Sequence, residues 1–193
     1  TNFAVTNNVV NTAPAGSLVF AASNSAAGIH QLYGYNSARN SAGLVMAANK
    51  FGAAGPKGQT YLFDNKLFGF FSPANGAGGF GYFDGSSLTV LAQLDSLVEP
   101  RLQSFTPYQG SLYFTATDDS GTNYHLWRYN PQDQSVTKIS AALNYVNSTA
   151  VEVYNDKLYF GGSYTNTIND PSKLFYWDGS TITEAPGFAT GAA

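Results

Sequence analysis

Few side chains in this sequence could do chemistry, and their spacing limits what that chemistry could be. His30 and His125 stand at near-equivalent places just ahead of aromatic runs. Neither has a second ligand at i+2 or i+4, the spacing that lets one strand or helix face hold a metal ion, so both read as framework. Asp64, Asp84, Asp156 and Asp178 all lie in turn-forming sequence, where a carboxylate caps its own backbone. None is matched with a carboxylate placed for acid and base work. Ser, His and Asp all occur, but without a G-x-S-x-G elbow to present a nucleophile. Thr117 to Asn123 gathers oxygens around Gly121 as calcium loops do, yet lacks the D-x-D-x-D-G order and a distant bidentate Glu. It reads as a polar loop tip, with Asp118 and Asp119 kept as binding candidates. No metal and no cofactor is expected, and the chain reads as a non-enzyme.

Stacking is the other chemistry on offer. Trp127, Tyr129, Tyr176, Trp177 and Tyr164 are the rings singled out as binding candidates, because aromatic faces can stack on sugars or seat against another protein. Counting back from the Asp or Asn that ends each aromatic run, Tyr35, Phe83, Tyr129 and Trp177 share a register. Strand alternation then puts Tyr33, Trp127 and Phe175 on the same face, with Tyr82 and Tyr176 on the opposite one.

The elements that must position these rings repeat four times. AGSLVFAAS, DNKLFGFFS, QGSLYFTAT and NDKLYFGGS carry equivalent leucines at Leu18, Leu67, Leu112 and Leu158, separated by 49, 45 and 46 residues. An apolar stretch precedes each phrase: Val9 to Ala13, Tyr61 to Phe63, Phe105 to Tyr108 and Val151 to Tyr154. Tight turns are expected at Asn65-Lys66, Gly110-Ser111 and Asp156-Lys157. An aromatic strand follows each phrase, and then a short closing strand at Leu44 to Ala47, Leu88 to Leu91, Val136 to Ile139 and Ile182 to Glu184. Asp84-Gly85 and Asp178-Gly179 predict type I′ hairpins before two of these closing strands. Units too small to bury a core alone must stack on one another. The expected fold is therefore all-β: a β-propeller with four blades of four antiparallel strands, about 46 residues per blade. One domain over 1–193 is expected, with blades near 7–50, 58–94, 102–143 and 149–186. Residues 1–6 would form a strand that closes the ring or is exchanged with a neighbour.

Val153-Tyr154-Asn155-Asp156-Lys157-Leu158-Tyr159-Phe160-Gly161-Gly162, followed by Leu174 to Trp177, resembles a kelch-type propeller blade. The other copies carry Ala21-Ala22, Phe70-Phe71 and Thr115-Ala116 where that family has its glycine pair. The count of four blades is similar to hemopexin-like domains, although their linked cysteines have no counterpart here. The resemblance implies an architecture and transfers no functional residue.

Composition narrows the function classes further. Aromatics make up 15% of the 193 residues and charged residues only 11%, so ring packing and polar turns replace a charged surface. A net charge of −3 with nine scattered Lys and Arg supplies no patch to displace phosphate counterions, which argues against nucleic acid. No apolar run is long enough to span a bilayer as a helix. With no cysteine there is neither a disulfide nor thiolate chemistry. Low charge with abundant Gly, Ala, Ser, Thr and Asn points to an extracellular or cell-surface protein whose leader has been removed. Its partner is expected to be a protein or glycan, held by the loops that vary between copies. The alternative expectation is a homo-oligomer or polymer: a structural subunit of a filament or surface layer, joined by strand exchange or loop contacts.

Overall fold

The computed structural model describes residues 18–24, 29–36, 41–46, 54–72, 79–84, 87–94, 105–117, 123–165 and 173–186. All its regular elements there are strands, grouped in four antiparallel sheets. The first holds β1 (Leu18–Asn24), β2 (Ile29–Asn36) and β3 (Ser41–Met46) in that order. The second runs β4 (Ala54–Phe63), β5 (Lys66–Ser72), β6 (Gly79–Phe83) and β7 (Leu88–Ala92). The third holds β8 (Thr106–Tyr108), β9 (Ser111–Ala116), β10 (His125–Asn130) and β11 (Ser135–Lys138). The fourth holds β12 (Tyr145–Tyr154), β13 (Lys157–Ser163), β14 (Lys173–Trp177) and β15 (Ile182–Glu184). Every sheet is a meander, each strand bonded to its neighbour in sequence. The expected strand at Val9 to Ala13 and the strand at 1–6 lie outside the described residues.

The leucines that mark the repeat fall in matching registers. Leu18 lies opposite Tyr35, Leu67 opposite Phe83, Leu112 opposite Tyr129 and Leu158 opposite Trp177. Two residues further along, Phe20 faces Tyr33, Phe114 faces Trp127 and Phe160 faces Phe175. Four stretches of sequence therefore build one pairing scheme.

That scheme is fixed by turns placed one residue earlier than the sequence reading put them. The central residues are Asp64-Asn65, Gln109-Gly110 and Asn155-Asp156, all at positive φ between 46° and 72°. Two-residue hairpins need this left-handed backbone at both positions, and Asn, Asp and Gly reach it at low cost. Lys66, Ser111 and Lys157 instead open the following strands, where alternation gives their side chains a place. The two Asp-Gly hairpins are corrected as well. Phe83 pairs with Leu88 and Trp177 with Ile182, so four residues lie between the paired positions. Asp84 and Asp178 do not sit at positive φ, and they close these turns through their carboxylates. The opening strands β4 and β12 run several residues further back than expected, through register shifts that break the alternation a sequence reading depends on. Pro56 in β4 and Pro107 in β8 are tolerated because both strands are sheet edges.

The chain forms two compact units, Thr1–Gln93 and Leu94–Ala193. In the first, Phe68, Phe70, Phe80 and Tyr82 cover one face of the second sheet, with ring centres 5.4–5.7 Å apart. Phe71 and Phe83, on the other face, are buried as well. Glycines face each other across β5 and β6 at Gly69 and Gly81. A Cβ on Gly81 would stand 2.1 Å from the carbonyl oxygen of Thr89, whereas one on Gly69 would meet side chains alone, the Thr60 methyl at 3.2 Å and the Phe71 ring at 3.5 Å.

In the second unit the third and fourth sheets share one core. Tyr108, Tyr113 and Leu126 of the third pack with Val151, Leu158, Phe160, Phe175 and Trp177 of the fourth. Leu143 and Val146, from the link between the sheets and the start of β12, fill the same core. Three polar contacts pin the sheets together: the Trp177 indole donates to the Tyr113 hydroxyl (3.0 Å), the Tyr108 hydroxyl to the Asp156 carbonyl (2.5 Å), and Thr106 Oγ1 to the Val151 carbonyl (2.8 Å). The far face of the third sheet, with Leu112, Phe114 and Tyr129, is also buried.

Two outcomes follow for stability. Tyr113→Phe leaves the buried indole N–H without its acceptor and should destabilise by about 1–3 kcal/mol in urea unfolding. Gly81→Ala should cost about 1–3 kcal/mol by forcing the β6–β7 backbone apart, and Gly69→Ala clearly less, as a flexible methyl can yield.

Candidate functional site

The aromatic candidates divide by strand parity. Tyr129, next to last in β10, and Trp177, last in β14, lie on the face that carries the repeat leucines, and Trp127 lies two residues before Tyr129. All three are buried. The Trp127 indole donates to the Ala116 carbonyl at 3.1 Å, and Lys138 Nζ lies 5.7 Å from its ring centre. Trp177 is tied to Tyr113 as described. These rings are packing elements of their sheets.

Tyr176 lies one residue before Trp177 and so takes the opposite face of the fourth sheet, where it is half-buried. Across β13 it pairs with Tyr159, ring centres 5.7 Å apart, and Tyr159 is 6.2 Å from Tyr154. Lys157 Nζ sits 3.9 Å over the Tyr176 ring. Three tyrosines thus step across β12, β13 and β14, and Tyr154 is 66% exposed. Glu152 and Thr183, opposite Tyr159 and Tyr176, flank them and are exposed. Tyr154, Tyr159 and Lys157 were absent from the sequence-based candidates. The signal was available: the two-residue turn at Asn155-Asp156 sets Tyr154 opposite Lys157, and alternation then brings Tyr159 and Tyr176 onto that face.

Tyr164 lies beyond the end of β13, exposed, edge-on to Phe175 with ring centres 5.3 Å apart. Lys173 Nζ is 5.4 Å from the Tyr164 ring centre and 3.0 Å from Glu184. Asn144 donates to the Tyr164 carbonyl at 2.6 Å. Such a half-exposed ion pair contributes little to stability, but it fixes where Lys173 stands. Asp118 and Asp119 lie outside the described residues, as do the centres of the four variable loops.

The turn acids bind their own backbone. Asp178 Oδ1 accepts from the Ser180 and Thr181 amides and the Ser180 hydroxyl, all at 2.8 Å, and Oδ2 accepts from the Thr181 hydroxyl at 3.0 Å. The Thr181 amide first, then the Ser180 amide and hydroxyl, hold this carboxyl far below its ordinary value of 3.8. Asp84 repeats the device with Ser87. Tyr108 moves the other way: burial, then Tyr113, Asp156 and Asp178, hold its hydroxyl above 10.0 as a protonated donor. His30 pairs with Ser23 across β1 and β2, and His125, buried, pairs with Ala116. Among the described residues no three His, Asp or Glu gather in a group that could hold a metal ion. No helix among them is long and apolar enough to cross a membrane.

No protein-family model matches the sequence, and no curated protein matches it. Among solved structures the chain is similar to the Pyrococcus horikoshii acylaminoacyl peptidase in its orthorhombic crystal form, at 12% identity and a TM-score of 0.49. That match covers 87% of this chain and 25% of the peptidase, so the chain spans about a quarter of that protein's length.

The Asp178 turn gives a pH signature. A depressed carboxyl stabilises the fold above its unfolded value near 3.8 and loses that contribution as pH falls through the lower folded value. The gap in thermal midpoint between the parent and Asp178→Ala should stay constant from neutral pH down to about 5 and close below the ordinary carboxylate range. A gap that widens on acidification contradicts the assignment.

Proposed function

We propose that the chain is a propeller-type array of four repeated sheets, kelch-like in layout, acting outside the cell or on its surface as a non-enzymatic interaction module. Its contact surface is the tyrosine face of the fourth sheet. The observation that carries this reading is the row Tyr154, Tyr159 and Tyr176, laid across three strands with Lys157 at its margin and incompletely buried. Tyrosine is enriched at the energetic centres of protein interfaces, since its stiff ring gives contact area and its hydroxyl a directed hydrogen bond. Support for the array comes from the shared Leu-to-aromatic register of all four sheets and from the third sheet, which is buried on both faces. A β-propeller built from repeated blades meets both conditions.

Protein suits this surface better than glycan. Sugars stack on an open, flat ring face, but Lys157 already covers the Tyr176 ring, and the three rings are tilted by 49° and 60° to one another. The secreted and surface fraction of the source should supply protein retained on the immobilised chain. Tyr154→Ser with Tyr176→Ser should lower that retention at least about tenfold, with the thermal midpoint little changed. Unchanged retention, or strong glycan-array binding that survives both substitutions, overturns the reading.

A further inference from the structure

Oxidation is the chemistry that composition leaves to the rings of this chain. With no cysteine and a single methionine, the sulfur side chains that ordinarily take up oxidants are almost absent, whereas tyrosine occurs thirteen times. Burial removes much of that capacity. Trp127 and Trp177 are buried with their indole N–H groups already donated, and Tyr82, Tyr108, Tyr113 and Tyr129 are buried too. Among the described side chains only two tyrosines are exposed, Tyr154 at 66% and Tyr164 at 47%.

These two rings stand in different company. Tyr164 has Phe175 edge-on at 5.3 Å, a ring with no hydroxyl and so no easily lost electron, and Lys173 Nζ 5.4 Å from its centre. Tyr154 has Tyr159 at 6.2 Å, and Tyr159 has Tyr176 at 5.7 Å, so an electron vacancy left by an oxidant has three adjoining phenols to move along. Loss of an electron leaves positive charge, which a carboxylate favours and an ammonium opposes. Glu152 shares the face, two residues before Tyr154 and opposite Tyr159, while Lys157 Nζ is drawn over the Tyr176 ring, 3.9 Å from its centre. The vacancy is thus biased away from Tyr176 and toward the exposed end of the row.

We infer that Tyr154 is an oxidative cross-linking site, at which a haem peroxidase supplied with hydrogen peroxide joins two copies of this chain through a tyrosine-tyrosine bond. In each copy the phenol of Tyr154 gives up one electron and its hydroxyl proton. The two radicals couple through the ring carbons beside the hydroxyls, forming one carbon-carbon bond, and the hydrogen on each coupled carbon moves to the oxygen to restore the phenol. One hydrogen peroxide takes up the two electrons and two protons and leaves as two waters. The position suits the reaction: Tyr154 closes β12, an edge strand of the fourth sheet, directly before the two-residue turn Asn155-Asp156. A ring at a sheet edge beside a hairpin turn meets its counterpart without either copy burying a face. The inference goes beyond the interaction reading above and uses none of its partner contacts.

The test treats the full chain with a haem peroxidase and dilute hydrogen peroxide, with circular dichroism as the fold control. Covalent dimer is read on a denaturing gel and by dityrosine fluorescence, and the joined peptides are mapped by mass spectrometry. The parent should give a dimer whose linked peptides both carry Tyr154. Tyr154→Phe, which keeps the ring and removes only the hydroxyl, should lose most of that dimer, and Tyr164→Phe should keep it. Tyr159→Phe breaks the row while leaving Tyr154 in place, so it should lower the yield without moving the cross-link. No dityrosine in the parent, a yield unchanged by Tyr154→Phe, or a principal cross-link mapped to Tyr164 or any other tyrosine overturns the inference. Any of these with retention of a protein partner intact overturns the cross-linking site alone and leaves the interaction reading standing.

Discussion

Left-handed backbone at three pairs of turn residues is the constraint from which the rest of the architecture follows. Asp64-Asn65, Gln109-Gly110 and Asn155-Asp156 each reverse the chain in two residues, which leaves no slack in the pairing of the flanking strands. Because side chains alternate with a period of two, a slip of one residue would exchange the two faces of a sheet. Leu158, Phe160, Phe175 and Trp177 would then turn away from Tyr113, and the tyrosines would enter the core. Register set within two residues thus decides contacts made between sheets.

Aromatic content serves packing before it serves recognition. A meander of short strands has a thin core, and rings provide large buried area with few rotatable bonds. Where a ring also carries a polar atom, the sheets use it: the indole of Trp177 and the hydroxyls of Tyr108 and Tyr113 find partners across the interface, so burial leaves these groups satisfied. The alternation that makes Trp177 a core residue makes Tyr176 a surface one. Neighbours in sequence divide between the inside of one interface and the outside of the next.

Much of this was legible in the sequence. The four leucines, the aromatic runs and their parity gave the strands and the face on which each ring lies, because period-two patterning and repeat spacing are local signals. Turn placement was legible in kind but one residue late, since Lys66 and Lys157 sit beside Asn and Asp and only backbone preference separates them. The early halves of β4 and β12 were not legible: register shifts there break alternation, and Ala54 to Thr60 has no apolar rhythm. The candidate site was read in part. A ring alone marks Tyr176 and Tyr164 as candidates in the sequence, whereas Tyr154 and Tyr159 become candidates only by standing side by side across strands. That adjacency depends on where the turn falls.

The link between the third and fourth sheets is more than a connector. Ser140, fully buried, accepts the Leu126 amide on its hydroxyl, Val146 donates its own amide to the Tyr124 carbonyl, and Leu143 is wedged into the shared core. Cutting the chain at that junction would strip apolar cover and backbone partners from both neighbours together. The smallest autonomous piece of this half is accordingly the pair of sheets rather than the single repeat, and its melting should be one cooperative event. Gain or loss of material by recombination would be tolerated in steps that respect that pairing, so the sequence period and the heritable module need not coincide.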